Sequence, residues 1–257
     1  MIRSHKTTGI ILQRHDVGEA DRILAIYTPR LGKLRLKAKG VRRVKSKLAG
    51  HIEIFALADF VFVEGIRNSI VTGARLIEHF DQVRSNLKRT SIAYYFCELV
   101  SKLTFENFKD TRIFDLLKNF LKNLERLDVK DKKALKLFVS NFELLLLKIL
   151  GYTPELYHCS NCGERLVPRG NKFSSFSGGV VCEDCATKLA VPISVSAIKV
   201  LRLITAREMT FSRMRNIDRR VFKEIEKISR SFVHFILEEK LNSENFLEHL
   251  EKMRNFD

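Results

Sequence analysis

Four cysteines form two pairs with the spacing of a metal site. Cys159 and Cys162 make one CxxC pair, Cys182 and Cys185 make a second, and nineteen residues separate the two pairs. Each CxxC turn can direct two thiolates at one ion, so two turns complete a tetrahedron of sulfur ligands around zinc. Four protein ligands leave no position for a reactive water, so we predict a structural Zn²⁺. A redox dithiol pair is the alternative, but no βαβ pattern accompanies either motif.

The second chemical feature is a cationic stretch from Arg30 to Lys47. This stretch, RLGKLRLKAKGVRRVKSK, contains nine Lys or Arg residues and no acidic residue. Its first half alternates cations with Leu34, Leu36 and Ala38, and a strand points alternate side chains to opposite faces. After Gly40 the pattern loses its period, which predicts a basic loop. We predict that eight of these cations bind nucleic-acid phosphates: Lys33, Arg35, Lys37, Lys39, Arg42, Arg43, Lys45 and Lys47. A basic but merely solvated sheet face is the alternative, although such a surface usually mixes both signs of charge.

The charge of the whole chain is concentrated near its start. The 257 residues carry a formal net charge of +16, and residues 1–50 contain 13 basic and 3 acidic residues. This asymmetry favours nucleic acid as a partner. A membrane is the weaker choice, because no apolar run is long enough to span a bilayer and MIRSHKTTGIIL lacks the features of a signal peptide. We therefore expect a cytoplasmic protein with reduced cysteines.

The elements that must position these residues differ between the two ends of the chain. Strands are predicted at 8–15, 22–28, 33–39, 55–64 and 70–77, separated by turn signals. Five strands without an intervening long helix predict an antiparallel sheet closed into a small barrel. An OB-fold is the favoured barrel, and a five-stranded SH3-like barrel remains the alternative.

A helical period begins near residue 81. Helices are predicted at 81–105, 111–127, 132–150, 194–206 and 218–240. The predicted fold class is α+β, with a five-stranded antiparallel OB-fold barrel followed by an α-helical domain that carries a four-cysteine zinc-binding insertion. The predicted domains are residues 1–79 for the barrel, residues 80–157 with 187–257 for the helices, and residues 158–186 for the zinc motif.

Motifs of nucleic-acid enzymes are not found in the sequence. It contains no GxxxxGK[ST], no HExxH and no acidic cluster beside the cationic stretch. Asp16, Glu19 and Asp21 lie together, where we expect them to pair with Arg22 or to shape the loop. We predict that the protein is not an enzyme. The alternative function is an RNA-binding or ribosome-associated module without annealing activity, since an OB-fold with a zinc motif can also serve RNA.

Several segments resemble the RecO family of bacterial recombination mediators. In chain order they are GIIL from Gly9, GEAD from Gly18, AKGVRRVKSKLAG from Ala38, LLLLKILGYTPEL leading to Cys159, and FSSFSGGVVCEDC ending at Cys185. The resemblance implies an OB-fold, a helical domain and, in many members, a four-cysteine zinc site. It also implies binding of single- and double-stranded DNA and annealing of complementary strands. The implied partners are RecR and single-stranded DNA-binding protein, with which such a protein helps to load RecA.

Some residues have simpler interpretations than a functional one. A stripe of Lys118, Lys122 and Arg126 could rim a groove for the acidic C-terminal tail of single-stranded DNA-binding protein, or could be a solvated helix face. His158 is interpreted as a bystander of the cysteines, and Cys97 as a buried apolar residue. Three aromatic side chains of the strands are expected to be buried rather than stacked on bases: Tyr27, Phe55 and Phe60.

Overall fold

The computed structural model describes residues 4–65, 69–207, 216–239 and 241–244. The chain divides into two units, Met1–Leu127 with Leu241–Asp257, and Asp128–Lys240. The first unit contains a barrel and the helices that follow it, and the second contains the four cysteines between further helices. The domain boundaries predicted from the sequence stay a prediction.

Five strands of the first unit close into a barrel. They are β1 Ser4–Val17, β2 Asp21–Thr28, β3 Gly32–Ala38, β4 Leu57–Val63 and β5 Ser69–Glu78. Their order around the barrel is β1-β2-β3-β5-β4, and β4 pairs with β1. The β3–β5 pair is parallel and the other four pairs are antiparallel. A closed ring of five strands cannot alternate direction throughout, so one pair must be parallel. This order confirms the OB-fold over the SH3-like alternative.

Strand β3 has the two faces that its alternating sequence predicts. Leu36 and Ala38 are buried in the barrel core, whereas Arg35 is exposed on the outer face and Lys39 is exposed just after the strand. Three aromatic residues are buried, as predicted: Tyr27 of β2, Phe60 of β4, and Phe55 in the turn before β4. The barrel core is therefore apolar, and the cations are turned away from it.

The helices match the predicted periods with one interruption. The first unit contains α1 Asp81–Arg84, α2 Leu87–Leu103 and α3 Thr111–Arg126, and the second contains α4 Lys132–Ile149, α5 Val195–Thr205 and α6 Arg219–Leu237. The prediction of a single helix over 81–105 is wrong, because the chain is interrupted between α1 and α2. Asn86 has extended backbone angles there, and its side chain accepts a hydrogen bond from the Arg89 N–H. Asparagine favours this N-cap position over a helix interior. Cys97 is fully buried within α2, as predicted.

Helices α4 and α6 pack together in the second unit. The Ser229 hydroxyl donates to the Ser140 hydroxyl at 2.9 Å, and the Lys136 ammonium donates to the Glu226 carboxylate at 2.7 Å.

A small antiparallel sheet lies between α4 and α5 in the chain. Its strands are β6 Lys172–Ser174, β7 Gly179–Val181 and β8 Val191–Pro192, in the order β7-β6-β8. The cysteines flank the first two of these strands.

The segment 104–110, which follows α2, is hydrogen-bonded to residues of β2 and β3. The Asn107 N–H donates to the Lys33 carbonyl at 2.9 Å, and the Tyr27 hydroxyl donates to the Phe108 carbonyl at 3.1 Å. The Lys33 ammonium donates to two backbone carbonyls at the C-terminal end of α2, which have no partner within the helix. These bonds fasten the segment beside the row of cations.

Gly32 permits this attachment, and replacing it should weaken the fold. Its φ is +70°, and an added Cβ would lie 2.9 Å from the Phe108 nitrogen and closer still to that residue's carbonyl group. Gly18 has a similar φ of +59° but nothing within 4 Å of an added Cβ. We expect Gly18→Ala to cost only left-handed strain, about 1 kcal/mol or somewhat more. Gly32→Ala should cost about 1–3 kcal/mol beyond that, because the segment must move.

Thermal or denaturant unfolding of both variants measures the difference. A Gly32→Ala protein that unfolds with the same midpoint as Gly18→Ala would show that the segment does not depend on this close approach.

Candidate nucleic-acid interface and metal site

Four of the eight predicted phosphate-binding cations already have partners within the first unit. Lys33 is half-buried, and its burial lowers the pKa of the ammonium, which bonds to the carbonyls at the end of α2. Three others form ion pairs with carboxylates. These pairs are Arg35 with Glu106 at 3.4 Å, Lys37 with Asp21 at 2.9 Å and Arg42 with Asp16 at 3.3 Å. Their positive charge is therefore partly compensated before any ligand binds.

The remaining four cations lie after the end of strand β3. Arg43, Lys45 and Lys47 are exposed, and none of them forms an ion pair with any residue that the structure describes. We refer to these three residues as the free loop cations. Lys39 is also exposed, but it lies close enough to Asp21 to help lower the pKa of that carboxyl. Uncompensated charge is thus concentrated on the loop rather than on the strand.

The base of this loop is anchored to the turn between β1 and β2. The Asp21 carboxylate accepts the Gly40 N–H at 2.8 Å, and this bond, with the Lys37 ion pair, lowers the pKa of Asp21. The Arg42 N–H donates to the Ala20 carbonyl at 2.9 Å. Val41 is buried in the barrel core. The loop therefore has a fixed root and presents its free cations to solvent.

Acidic residues at the end of β1 and the start of β2 pair with nearby cations, and Asp16 holds Arg22, as expected from the sequence. The Asp16 carboxylate accepts the Arg22 Nε–H at 2.8 Å, which lowers the pKa of Asp16. These acids serve the local structure of the loop region.

The candidate partner stripe lies on helix α3. Its apolar side is buried, and Lys122 forms an ion pair with Glu78 of β5 at 3.1 Å. Lys118 is partly buried and Arg126 is exposed. A role of these three residues in binding a protein tail stays a prediction.

The four cysteines of the CxxC pairs come together in the second unit. Their sulfur atoms all lie within 4.8 Å of one another, and the sulfurs of Cys162 and Cys182 are 4.0 Å apart. A tetrahedral site with zinc–sulfur bonds of about 2.3 Å requires sulfurs about 3.8 Å apart. Gly163, with a φ of +76°, closes the first turn through a bond from its N–H to the Cys159 carbonyl. The donor set therefore fits a tetrahedral metal ion.

The protonation of these thiols also favours a cation. Burial raises the pKa of Cys159, but hydrogen bonds from the amides of Cys162 and Cys182 outweigh it and lower the pKa to about 6. The neighbouring Cys182 side chain raises the pKa of Cys185 to about 12. Like charges at this distance raise one another's pKa, and a positive ion among the sulfurs would favour their thiolate forms. The imidazole of His158 is outside the sulfur cluster and lies 3.9 Å from the Glu155 carboxylate.

No helix in the described part of the chain is both long enough and apolar enough to cross a membrane.

Comparison with known proteins covers both parts of the chain. The family profile "Recombination protein O N terminal" matches residues 1–80, and "Recombination protein O C terminal" matches residues 84–245. A "DNA repair protein RecO" of Dehalococcoides mccartyi strain 195 is 39% identical over 91% of this chain and 91% of its own length. A protein of the same name from Roseiflexus sp. RS-1 is 37% identical over 98% of this chain and 87% of its own. Another from Thermoanaerobacter sp. X514 is 31% identical over 98% of this chain and 100% of its own. The chain therefore belongs to the RecO family.

Proposed function

We propose that this protein is a non-enzymatic, DNA-binding recombination mediator. It binds single- and double-stranded DNA, anneals complementary strands, and acts with RecR and single-stranded DNA-binding protein to help load RecA. The observation that carries the proposal is the set of free loop cations on an anchored loop of an OB-fold, in a chain of the RecO family.

Binding follows from the electrostatics of phosphate. Each cation that neutralises a phosphate releases a condensed counterion, so binding is independent of sequence and weakens as salt rises. If about six of the eight predicted cations contact a single strand, the slope of log K against log salt should be about −4. Annealing needs no bond chemistry, because the protein only has to lower the repulsion between two polyanions.

The metal proposed for the sulfur cluster is Zn²⁺ in a structural role. Four cysteine ligands suit this ion, and the closed donor set leaves no position for substrate or water. Zinc would hold the two CxxC turns together and would supply the positive charge that the crowded sulfurs require. The stripe of Lys118, Lys122 and Arg126 is proposed as the contact for the acidic tail of single-stranded DNA-binding protein.

Strand annealing tests the proposal directly. Two complementary labelled DNA strands, either naked or coated with single-stranded DNA-binding protein, are mixed with and without this protein. We expect annealing to become faster in both cases, while non-complementary strands of equal length show no change. A Glu substitution at all three free loop cations should remove the acceleration and leave the fold and zinc content intact.

Two outcomes would contradict the mediator function. Protein that binds DNA strands but never anneals them would use the loop only as a docking surface. Stronger competition by RNA than by DNA of equal length would instead support the RNA-binding alternative.

A further inference from the structure

Phe105 is an exposed aromatic residue on the segment attached beside the cationic strand. Phe105 is 80% exposed, although other residues of its segment are hydrogen-bonded to β2 and β3. The sequence did not indicate that Phe105 is exposed outside a helix, because the helical period from residue 81 placed it at the end of a long helix. The structure ends that helix at Leu103 and places Phe105 in the segment 104–110.

The backbone around Phe105 is fixed. The Phe108 N–H donates to the Phe105 carbonyl at 3.2 Å, and Asn107 adopts a left-handed conformation with a φ of +61°. The next residue, Glu106, forms a parallel bridge with Lys33 at the start of β3. The aromatic residue is therefore presented from a rigid turn, and little backbone entropy remains to be lost when a ligand covers it.

The chain neighbours of Phe105 contact cations of strand β3. The Lys33 ammonium donates to the Thr104 carbonyl, and the Glu106 carboxylate is 3.4 Å from the Nε atom of Arg35. Single-strand binding sites combine such cations, which follow the phosphate backbone, with aromatic rings on which bases stack. A base pair inside a duplex has no free face for such stacking, whereas an unpaired base does.

We propose that Phe105 stacks on an unpaired base of single-stranded DNA bound along the cationic strand and loop. This inference deepens the proposed DNA-binding function and rests on it. The helical half of the first unit then supplies the base contact, and the barrel with its loop supplies the phosphate contacts. A base stacked on Phe105 would strengthen binding of a single strand relative to a duplex.

Truncation of the ring separates base contact from phosphate contact. We expect Phe105→Ala to weaken binding of a thymine oligonucleotide about 5- to 150-fold, the range for loss of one stacked base. Binding of an abasic strand of equal length and of a duplex should stay unchanged, as should the salt slope. Phe105→Tyr should restore binding of the thymine strand. Phe176, which is 84% exposed in the second unit, is the matched control, and Phe176→Ala should have no effect.

A fluorescent reporter gives an independent readout, because the chain contains no tryptophan. In Phe105→Trp, emission should be quenched by the thymine strand but not by the abasic strand. Phe176→Trp should not respond to either strand.

The results distinguish failure of this inference from failure of DNA binding. Suppose that the unmodified protein binds with the expected salt slope. If Phe105→Trp emission is then not quenched and Phe105→Ala binds with full affinity, the stacking role alone is overturned. Equal losses on the thymine, abasic and duplex ligands would also overturn it, because they would indicate a structural effect. Absence of any binding by the unmodified chain would overturn the proposed function itself.

Discussion

Replacing Arg43, Lys45 and Lys47 with glutamine is expected to weaken single-strand DNA binding about 100-fold at 0.1 M salt. Each phosphate contact on a single strand contributes about 0.7 to the salt slope, so three contacts contribute about two powers of ten at that concentration. The slope itself should become less negative by about 2. The reason is structural, since these side chains are exposed and form no ion pair with the residues that the structure describes. Titrations at several salt concentrations measure both quantities.

A second triple variant provides a control with the same change of net charge. Arg35, Lys37 and Arg42 are each paired with a carboxylate, so they must leave that partner before they can neutralise a phosphate. We expect their replacement by glutamine to reduce the overall attraction but to change the salt slope by less than replacement of the free loop cations does. If both triple variants lose the same slope, ion pairing in the free protein does not decide which cations contact DNA.

Removal of the metal is expected to unfold the cysteine region locally. We expect a Cys159→Ser/Cys182→Ser protein to contain no zinc after purification. Its backbone amides over 158–186 should lose protection from hydrogen exchange. Among the residues that the structure describes, the apolar cluster around the site is small, with Cys159, Val181 and Ala190 buried in it, so we expect sulfur–metal bonds to supply much of the stability. Helices α4 and α6 have their own buried contacts and should keep their protection.

His158 provides the matched control for the metal site. His158→Ala should retain one zinc per chain, because its imidazole lies outside the sulfur cluster. The salt slope of DNA binding should also survive zinc loss, because the free loop cations belong to the other unit. Zinc content per chain and amide hydrogen exchange are the measurements. A double-serine protein that keeps its metal or its amide protection would disprove a structural four-cysteine site.

Local patterns in the sequence predicted most elements of the fold. The five barrel strands and the apolar face of β3 were predicted, because strand alternation is a property of consecutive residues, whereas the short strands β6, β7 and β8 were not predicted. The break at Asn86 was missed, since an apolar period continues across a single capped turn. The choice between two five-stranded barrels also required the structure, because strand order depends on which distant strands pair.

The positions of the metal ligands and of the cations along the chain follow from the sequence alone. CxxC spacing brings two thiolates to one ion within a single turn, and the excess of cations near the start of the chain is independent of folding. Which cations remain free depends on the tertiary structure. Asp16 and Asp21 form ion pairs with Arg42 and Lys37, which lie far along the chain from them, and carbonyls at the end of helix α2 accept the ammonium of Lys33. Charge compensation acts over a few ångströms between residues that are distant in the chain, so composition alone does not reveal it.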